Sequence, residues 1–312
     1  MPAPRDSRTF WRLVPTLLVA IVALSAVLLS VAALRQIAVS DGGTVPGPIP
    51  TWDDSGTTPE PTPTQTESAA NVGPSERTEL MDIDEGGSGL RASNSDCSSP
   101  GGALLWSTAD GGLTWNQIDL GSTDLWQVYS VRVVSADQFD VVAAVTAECE
   151  PVTLTSYTSG QFWEAYPERT PAGPWIDPQA PDAIQRNGVA VPAPCGAALQ
   201  VADLDPNMAV LCSEGLFYYA SQSGTWSVVA PGTFVGVANG AGGSIVAAQV
   251  SPECSGITFT EFAATGEVAR STCDPTHSAT VGSTLTSIGT QLAWWDGQTL
   301  AKSSDLGATW SP

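Results

Sequence analysis

Two eight-residue stretches decide the fold of this chain: Thr108-Ala-Asp-Gly-Gly-Leu-Thr-Trp115 and Ser303-Ser-Asp-Leu-Gly-Ala-Thr-Trp310, both of the pattern S/T-x-D-x-G-x-T-W. The aspartate can accept hydrogen bonds from turn amides, the glycine of the pattern permits a positive φ, and the hydroxyls add local bonds. The tryptophan can pack between neighbouring sheets. The pattern therefore predicts a structural hairpin turn, built by Thr108, Asp110, Gly112, Thr114 and Trp115, and again by Ser303, Asp305, Gly307, Thr309 and Trp310.

Weaker copies of the same pattern lie between these two stretches. Ser156–Trp163 has Thr158 where the aspartate is expected, and Ser221–Trp226 is a shortened turn. The pattern resembles the Asp-box, or bacterial neuraminidase repeat, of sialidases and of many non-enzymatic β-propellers. The resemblance implies a β-propeller over residues 77–312, of the non-enzymatic sialidase-like or photosystem-assembly-factor-like type.

The spacing of the repeats predicts the number of blades. The four turn tryptophans lie 48, 63 and 84 residues apart, and the last gap contains a further turn-like segment at 264–267. Strand-like runs such as 128–134 and 140–145 separate the turns, and no stretch of the domain keeps a helical apolar period. We therefore predict an all-β fold, a small propeller of about five four-stranded blades. The Pro-rich stretch 170–181 is interpreted as a surface insertion.

All six cysteines fall within this domain, and an even number outside the cytoplasm indicates three disulfides. Four of them occupy the predicted turn between the second and third strands of a blade. Fifteen pairings are possible. The preferred one, which closes two short loops within or beside one blade, is Cys195–Cys212, Cys254–Cys273 and, by elimination, Cys97–Cys149.

The N-terminal region predicts membrane attachment. Residues 13–34 carry no charge, and a helix of this length spans a bilayer core. Three arginines precede it and one follows, which places residues 1–12 in the cytoplasm and the C-terminal domain outside. Residues 35–76 are rich in Pro and Thr and are interpreted as an extended stalk. We expect a retained signal anchor at the cell membrane; the alternative is a signal peptide cleaved after Ala33.

The charge balance and the motifs of the sequence limit the classes of partner and of reaction. Residues 36–312 hold 31 acidic and 7 basic groups, a balance that argues against nucleic acid as a partner. The sialidase Arg-Ile-Pro motif, GxSxG, HExxH and phosphate-loop patterns are all missing from the sequence, and the single histidine, His277, lies in a turn-like setting. We therefore expect neither a cofactor nor a metal site, and the sequence argues against catalysis.

The expected function is a binding or assembly platform for an envelope protein; the alternative is a surface propeller that binds or cleaves a glycan. Among the eleven tryptophans, Trp175 in the Pro-rich stretch and the adjacent pair Trp294 and Trp295 are not readily explained as packing residues of the turns. An exposed tryptophan can stack on a sugar or anchor a peptide. These three are therefore the candidate ligand contacts.

Overall fold

The computed structural model describes residues 79–171 and 173–312. Within these ranges the chain is all β, with no α-helix and one short 3-10 turn at Ala241–Gly243. No helix of the described residues is long and apolar enough to cross a membrane. The predicted anchor, 13–34, and the predicted stalk, 35–76, lie outside the described residues.

The strands of the described residues form six antiparallel sheets, each of which is one blade of a propeller. Blades 1 and 2 comprise β1 (Glu79–Ile83), β2 (Gly89–Ser93), β3 (Leu104–Thr108) and β4 (Asn116–Gln117), then β5 (Gln127–Val133), β6 (Phe139–Ala144), β7 (Pro151–Ser156) and β8 (Glu164–Ala165). Blades 3 and 4 comprise β9 (Pro174–Ile176), β10 (Ala183–Arg186) and β11 (Val189–Pro192), then β12 (Ala198–Leu204), β13 (Asn207–Cys212), β14 (Gly215–Ala220) and β15 (Thr225–Pro231). Blades 5 and 6 comprise β16 (Gly236–Asn239), β17 (Ile245–Val250), β18 (Ile257–Phe262) and β19 (Val268–Asp274), then β20 (Thr284–Ile288), β21 (Gln291–Trp295) and β22 (Leu300–Ser303).

The blades close into a ring. The first strand of each blade is the innermost, and successive innermost strands lie side by side, with β20 returning to β1. Alternating apolar residues on each strand bury one side against the next blade, as the two-residue period of a strand requires. Leu211 and Ile245, for example, meet between blades 4 and 5, and Phe259 and Trp294 meet between blades 5 and 6.

The two ends of the ring differ, and we name them by what they carry. The innermost strands β1, β5, β12, β16 and β20 all begin at one end, which we call the mouth face. Asn94, after the end of β2, accepts a hydrogen bond from the N–H of Val128 at the start of β5, so β1 and β5 share this direction. The Arg132–Asp203 pair joins the ends of β5 and β12, Gln200 of β12 bonds the backbone of Val237 in β16, and Gly282 before β20 lies beside Glu79. Because consecutive strands are antiparallel, the turns between third and fourth strands lie at the opposite end, which we call the box face.

Blade 3 is built differently from the other five. Gly173, before β9, lies next to Arg132 and Asp203, which are near the ends of β5 and β12. At the other end of β9, the carbonyl of Pro181 accepts a hydrogen bond from the N–H of Ala198 at the start of β12. Strand β9 therefore runs from the box face to the mouth face, opposite to its two neighbours.

The all-β propeller is confirmed, but the predicted number of blades is wrong: the described residues form six, not five. The stretch 170–181, interpreted as an insertion, contains β9, the innermost strand of the missing blade. The count failed because blade 3 has three short strands and no tryptophan-marked turn. The strands expected at 128–134 and 140–145 are present as β5 and β6.

The sequence also suggested that the strand at 79–84 closes the ring by pairing near Trp310, and this is wrong. Strand β1 pairs with β2 inside blade 1. In blade 6 the outer position is taken by Ser311, which exchanges both backbone hydrogen bonds with Lys302. The ring closes by packing instead: Met81 and Ile83 pack against residues of blade 6 that include Trp295.

Candidate functional site

The Asp-box turns lie at the box face and are held by a repeated set of hydrogen bonds. In the first box the Thr108 hydroxyl donates to Asp110 Oδ1 over 2.7 Å and accepts from the N–H of Gly112 over 2.9 Å. Asp110 in turn accepts from the N–H and the hydroxyl of Thr114, at 2.9 and 2.6 Å. The second box repeats the same four hydrogen bonds, with donor–acceptor distances of 2.7–2.8 Å, among Ser303, Asp305, Gly307 and Thr309. In both boxes the polar side chains of the pattern therefore make their hydrogen bonds within the turn.

The weaker copy in blade 2 shows what the missing aspartate contributes. Ser156 keeps the bond from the N–H of Gly160, at 2.9 Å. The hydroxyl of Thr158 accepts from the N–H of Phe162, also at 2.9 Å, and so takes over one of the two aspartate contacts. The turn survives with fewer bonds, and the side chain of Phe162 is left 74% exposed.

The box tryptophans face the preceding blade and are structural. Trp115 meets Trp295 of blade 6 edge to face, with ring centroids 6.2 Å apart. Trp310 packs on Phe259 of blade 5 at 5.3 Å. The boxes thus join neighbouring blades, and their conserved residues offer no free group to a ligand.

The three disulfides all lie at the mouth face. The structure contains Cys97–Cys149, Cys195–Cys212 and Cys254–Cys273, the three pairs preferred from the sequence. Cys97, Cys149 and Cys254 stand in loops between second and third strands, and Cys212 ends a second strand, as expected. The first pair joins blade 1 to blade 2. Disulfides therefore constrain the loops at this end of the ring.

A central cavity of about 810 Å³ runs along the innermost strands. At the mouth face its lining extends past the strand ends into the loops, to Asn94–Asp96, Pro178, Pro181 and Ala197. At the box face it stops within the strands, at Asp82, Val133, Asp203, Asn239 and Ser287. The cavity is therefore open towards the mouth face.

An ion pair lies across the deep end of the cavity. Arg132 Nη2 of blade 2 and Asp203 Oδ2 of blade 4 are 2.7 Å apart. Gly173 passes between the two blades here with a φ of 75°, and a Cβ on it would come within 2.8 Å of the guanidinium. Beside them, Asp82 accepts the N–H of Val133 over 2.8 Å. Burial raises the pKa of Asp82, although the Val133 bond and Arg132 act to lower it.

An aromatic pair stands at the mouth. Trp175 of β9 stacks on Tyr129 of β5, with ring centroids 5.8 Å apart and planes at 27°. The Tyr129 hydroxyl donates to the carbonyl of Cys149 over 2.6 Å, and burial raises its pKa to about 12. Trp175 remains half-buried and lines the cavity. It is the one of the three candidate tryptophans that a ligand can reach.

Trp294 and Trp295, which were also predicted as candidate ligand contacts, are buried. Their exposed fractions are 0% and 4%, and both belong to the packing between blades. As strand residues that alternate in direction, they fill the two interfaces on either side of blade 6. Neither can stack on a ligand in this structure.

The remaining sequence candidates are placed as follows. His277 pairs with Asp274, with Nδ1 and Oδ2 2.6 Å apart, and packs on Trp310. Among the described residues, the one group with metal-ligand spacing is Cys195, Cys212 and Glu214, and its two sulfurs are already joined in a disulfide.

Apart from Trp175, the residues that line the cavity opening at the mouth face were not predicted from the sequence. Asn94, Tyr129 and Gln200 are among them, but they come from different blades and share no local motif. The available signal was indirect: four cysteines predicted in equivalent loops must gather at one end of a propeller. That end carries the cavity opening.

The similarity of this chain to known proteins is limited to solved structures of low sequence identity. No family model matches the chain, and no curated protein matches it. Among solved structures it is similar to YCF48 bound to a D1 peptide, at 16% identity and a TM-score of 0.43 over 77% of this chain and 82% of that one. It is similar to YCF48 from Cyanidioschyzon merolae, at 17% identity and a TM-score of 0.41 over 77% and 86%.

A third similar structure is the GH74 enzyme of Niastella koreensis, at 15% identity and a TM-score of 0.41 over 73% of this chain and 37% of that one. Identities and TM-scores at this level say nothing of a shared activity. The propeller assignment rests on the pairing of the strands into six sheets.

Proposed function

We propose that this chain is a membrane-anchored, extracytoplasmic β-propeller that serves as a binding or assembly platform for an envelope protein, with the mouth face as the contact surface. In this proposal residues 13–34 are the anchor and residues 35–76 the stalk. The first strand of the ring begins at the mouth face with Glu79.

The observation that carries the proposal is the position of the disulfides. All three join chain segments at the mouth face, the end towards which the cavity opens. Holding loops in one conformation before a partner arrives lowers the entropy lost on binding. The box face, which is already braced by its turn hydrogen bonds, has no disulfide among the described residues.

The cavity has a size and lining suited to part of a polypeptide. Its volume of about 810 Å³ falls within the range of small-molecule pockets, roughly 300–1,000 Å³. The lining mixes apolar residues such as Val237 with amides and hydroxyls such as Asn94 and Thr286. A few side chains of a partner would fit, with hydrogen-bonding groups on the walls to orient them.

A face-specific binding experiment tests this proposal. The full-length chain, solubilised in detergent, is used as bait against envelope extracts, with two matched variants. Gln179→Arg adds bulk and charge on an exposed mouth-face loop, and Gln161→Arg does the same on an exposed box-face turn. We expect one defined protein to be retained by the parent and by Gln161→Arg, and lost with Gln179→Arg. Equal retention by both variants, or no retained protein at all, would contradict a platform that works through the mouth.

The second candidate, a glycan-binding or glycan-cleaving propeller, is favoured by one feature, the Trp175–Tyr129 pair at the mouth. Aromatic faces of this kind can stack on sugars. A glycan array and a panel of fluorogenic glycosides distinguish the two candidates. Turnover that disappears after one Asp or Glu substitution in the cavity would establish the glycosidase in place of the platform.

A further inference from the structure

Charge is distributed unevenly between the two ends of the ring. The mouth-face loops comprise residues 94–103, 118–126, 145–150, 177–182, 193–197, 213–214, 232–235, 251–256, 275–283 and 296–299, and they contain no lysine or arginine. Their carboxylates are Asp96, Asp119, Asp124, Glu148, Glu150, Asp177, Asp182, Glu214, Glu253 and Asp296. The mouth-face loops thus carry negative charge alone, apart from their one histidine.

The basic side chains are gathered away from it. Apart from Arg91, which is buried in blade 1, every described lysine or arginine lies towards the box face: Arg132, Arg169, Arg186, Arg270 and Lys302. The four arginines in that list each pair with a carboxylate there, such as Asp140 or Asp205. None of the mouth-loop carboxylates makes an ion pair with lysine or arginine among the described residues.

Unpaired charges of one sign around a concave opening produce a field that selects the charge of the partner. Such a field raises the association rate of an oppositely charged molecule and disfavours one of like charge. Among the mouth-loop carboxylates, Asp96 lines the cavity, and Asp177 and Asp182 are sequence neighbours of lining residues. An anionic lipid surface or a nucleic acid would be repelled here.

A second, independent feature lies at the deep end of the cavity. Asn239 is the last residue of β16 and lines the cavity, and its Oδ1 is buried with no hydrogen-bond partner among the described residues. A buried acceptor without a donor costs free energy, roughly 1–3 kcal/mol. Asp82, a second acceptor, lies at the same end. Both ends of the cavity thus favour an occupant that brings N–H donors.

We propose that the occupant of the mouth is an extended, lysine- or arginine-bearing segment of a partner polypeptide. This deepens the proposed platform function and rests on it. The basic side chains would lie among the Asp96, Asp177 and Asp182 carboxylates, with the Trp175–Tyr129 pair providing an aromatic surface beside them. Backbone and side-chain N–H groups of the segment would supply the donors that Asn239 lacks.

The test measures binding of short fluorescent peptides to the full-length chain in detergent, by fluorescence anisotropy. One peptide alternates lysine with glycine, a second replaces each lysine with glutamate, and a third replaces each with glutamine. We expect measurable binding of the lysine peptide alone. Raising NaCl from about 0.05 M to about 0.5 M should weaken it at least about tenfold, because the Debye length shortens to a few ångströms.

Two variants with the same change in net charge locate the effect. The mouth variant combines Asp96→Asn, Asp177→Asn and Asp182→Asn, which keeps the local side-chain acceptors of the first two. The control combines Glu85→Gln, Asp137→Asn and Glu267→Gln on the box face. Three rim charges together should account for about a tenfold loss of affinity in the mouth variant, while the control stays within about twofold of the parent.

Asn239→Leu provides a separate readout at the deep end. It removes the unpaired acceptor, so the free protein should become more stable while the lysine peptide binds less tightly. A structural role alone would not produce opposite changes in stability and affinity.

Several results would overturn the inference. One is equal binding of the lysine and glutamate peptides, and another is an equal loss of affinity in the mouth variant and the control variant. A third is displacement of the lysine peptide by calcium, or by a glucosamine oligomer, at an equal concentration of positive charge. If an envelope protein is retained through the mouth face but its binding is insensitive to salt and to the mouth variant, the platform stands and the cationic segment does not. If no envelope protein is retained, the platform itself fails.

Discussion

At the scale of single residues, the Asp-box is a device for satisfying the backbone of a tight turn. Gly112 and Gly307 have φ values of 88° and 80°, a region that other residues rarely adopt. A Cβ on Gly112 would also collide with Leu300 of blade 6. Glycine is required at this position both by the turn and by the neighbouring blade.

The first prediction concerns the buried hydroxyl of the box. Ser303 is 2% exposed and accepts the N–H of Gly307 at 2.7 Å. Ser303→Ala leaves this buried N–H without a partner and should lower the free energy of unfolding by about 1–3 kcal/mol. Ser304→Ala, on the exposed neighbour, should change it by less than about 0.5 kcal/mol. Urea unfolding of the two variants checks this, and equal effects would contradict it.

A second prediction follows from the box aspartates. Hydrogen bonds from the Thr114 hydroxyl and N–H hold the pKa of Asp110 at about 2, and those from the Thr309 N–H and hydroxyl do the same for Asp305. A carboxylate whose pKa is lower in the folded state stabilises it at pH values above the ordinary pKa. That contribution is lost as the pH falls from about 4 to about 2.

The melting temperature should therefore fall over this acid range. In the double variant Asp110→Asn/Asp305→Asn the fall should be smaller, because the two groups no longer titrate, and at neutral pH the variant should melt below the parent. Thermal melts at stepwise pH values measure this. A pH dependence identical to that of the parent would show that the box carboxylates do not contribute.

At the scale of elements, the loops at the two faces are stabilised in different ways. The box face uses side-chain hydrogen bonds within each turn, and the mouth face uses three covalent links between segments. Cys97–Cys149 joins two blades across 52 residues, whereas Cys254–Cys273 closes 19 residues within one blade. The first restricts the unfolded chain more.

This difference gives the third prediction. Replacing both cysteines of a pair with serine should destabilise the domain by about 2–5 kcal/mol. Because the entropy of the closed loop grows with its length, the Cys97/Cys149 variant should lose about 1 kcal/mol more than the Cys254/Cys273 variant. Denaturant unfolding of the two double variants decides the order. A larger loss for the shorter loop would mean that local packing outweighs the chain entropy.

At the scale of the whole molecule, the ring closes without a shared strand. The seam between blades 6 and 1 is filled by Met81, Ile83 and Trp295, and it contains a buried cation. The Arg91 guanidinium lies 4.1 Å from the ring centroid of Trp106 and 4.3 Å from that of Trp295. It pairs with Glu79 at 3.2 Å, and both side chains are nearly buried.

The fourth prediction tests this seam. Arg91→Met leaves the Glu79 carboxylate buried without its partner and should cost about 3–5 kcal/mol of stability. In Arg91→Met/Glu79→Gln much of that loss should be recovered, since no unpaired charge remains. Arg270→Met, at a pair whose arginine is 57% exposed, should cost only about 0–1 kcal/mol. Equal losses at the two arginines in urea unfolding would contradict the role of the seam.

A fifth prediction concerns topology, which the described residues leave open. The whole chain should remain in the membrane fraction, and protease added outside intact cells should remove the domain. The alternative of a cleaved signal peptide would appear as mature protein that begins just after Ala33. N-terminal sequencing of the purified protein separates the two.

Much of the fold was predictable because local patterns encode it. The box pattern is a turn of eight consecutive residues, so Thr108–Trp115 and Ser303–Trp310 indicate a propeller before any packing is known. The cysteine pairing was also predictable, because Cys195–Cys212 and Cys254–Cys273 close short loops and Cys97–Cys149 then remains by elimination. Each of these inferences needs only residues close in sequence or a regular spacing.

The sequence by itself therefore determined the all-β propeller, its turns and its disulfides. Only the tertiary structure decided the sixth blade, the burial of Trp294 and Trp295, and the mouth. Blade 3 has no marked turn, so β9 becomes recognisable only through its packing between β5 and β12. The mouth gathers Asp96, Asp177 and Asp182 from separate loops, because closing a ring brings distant segments together at one end.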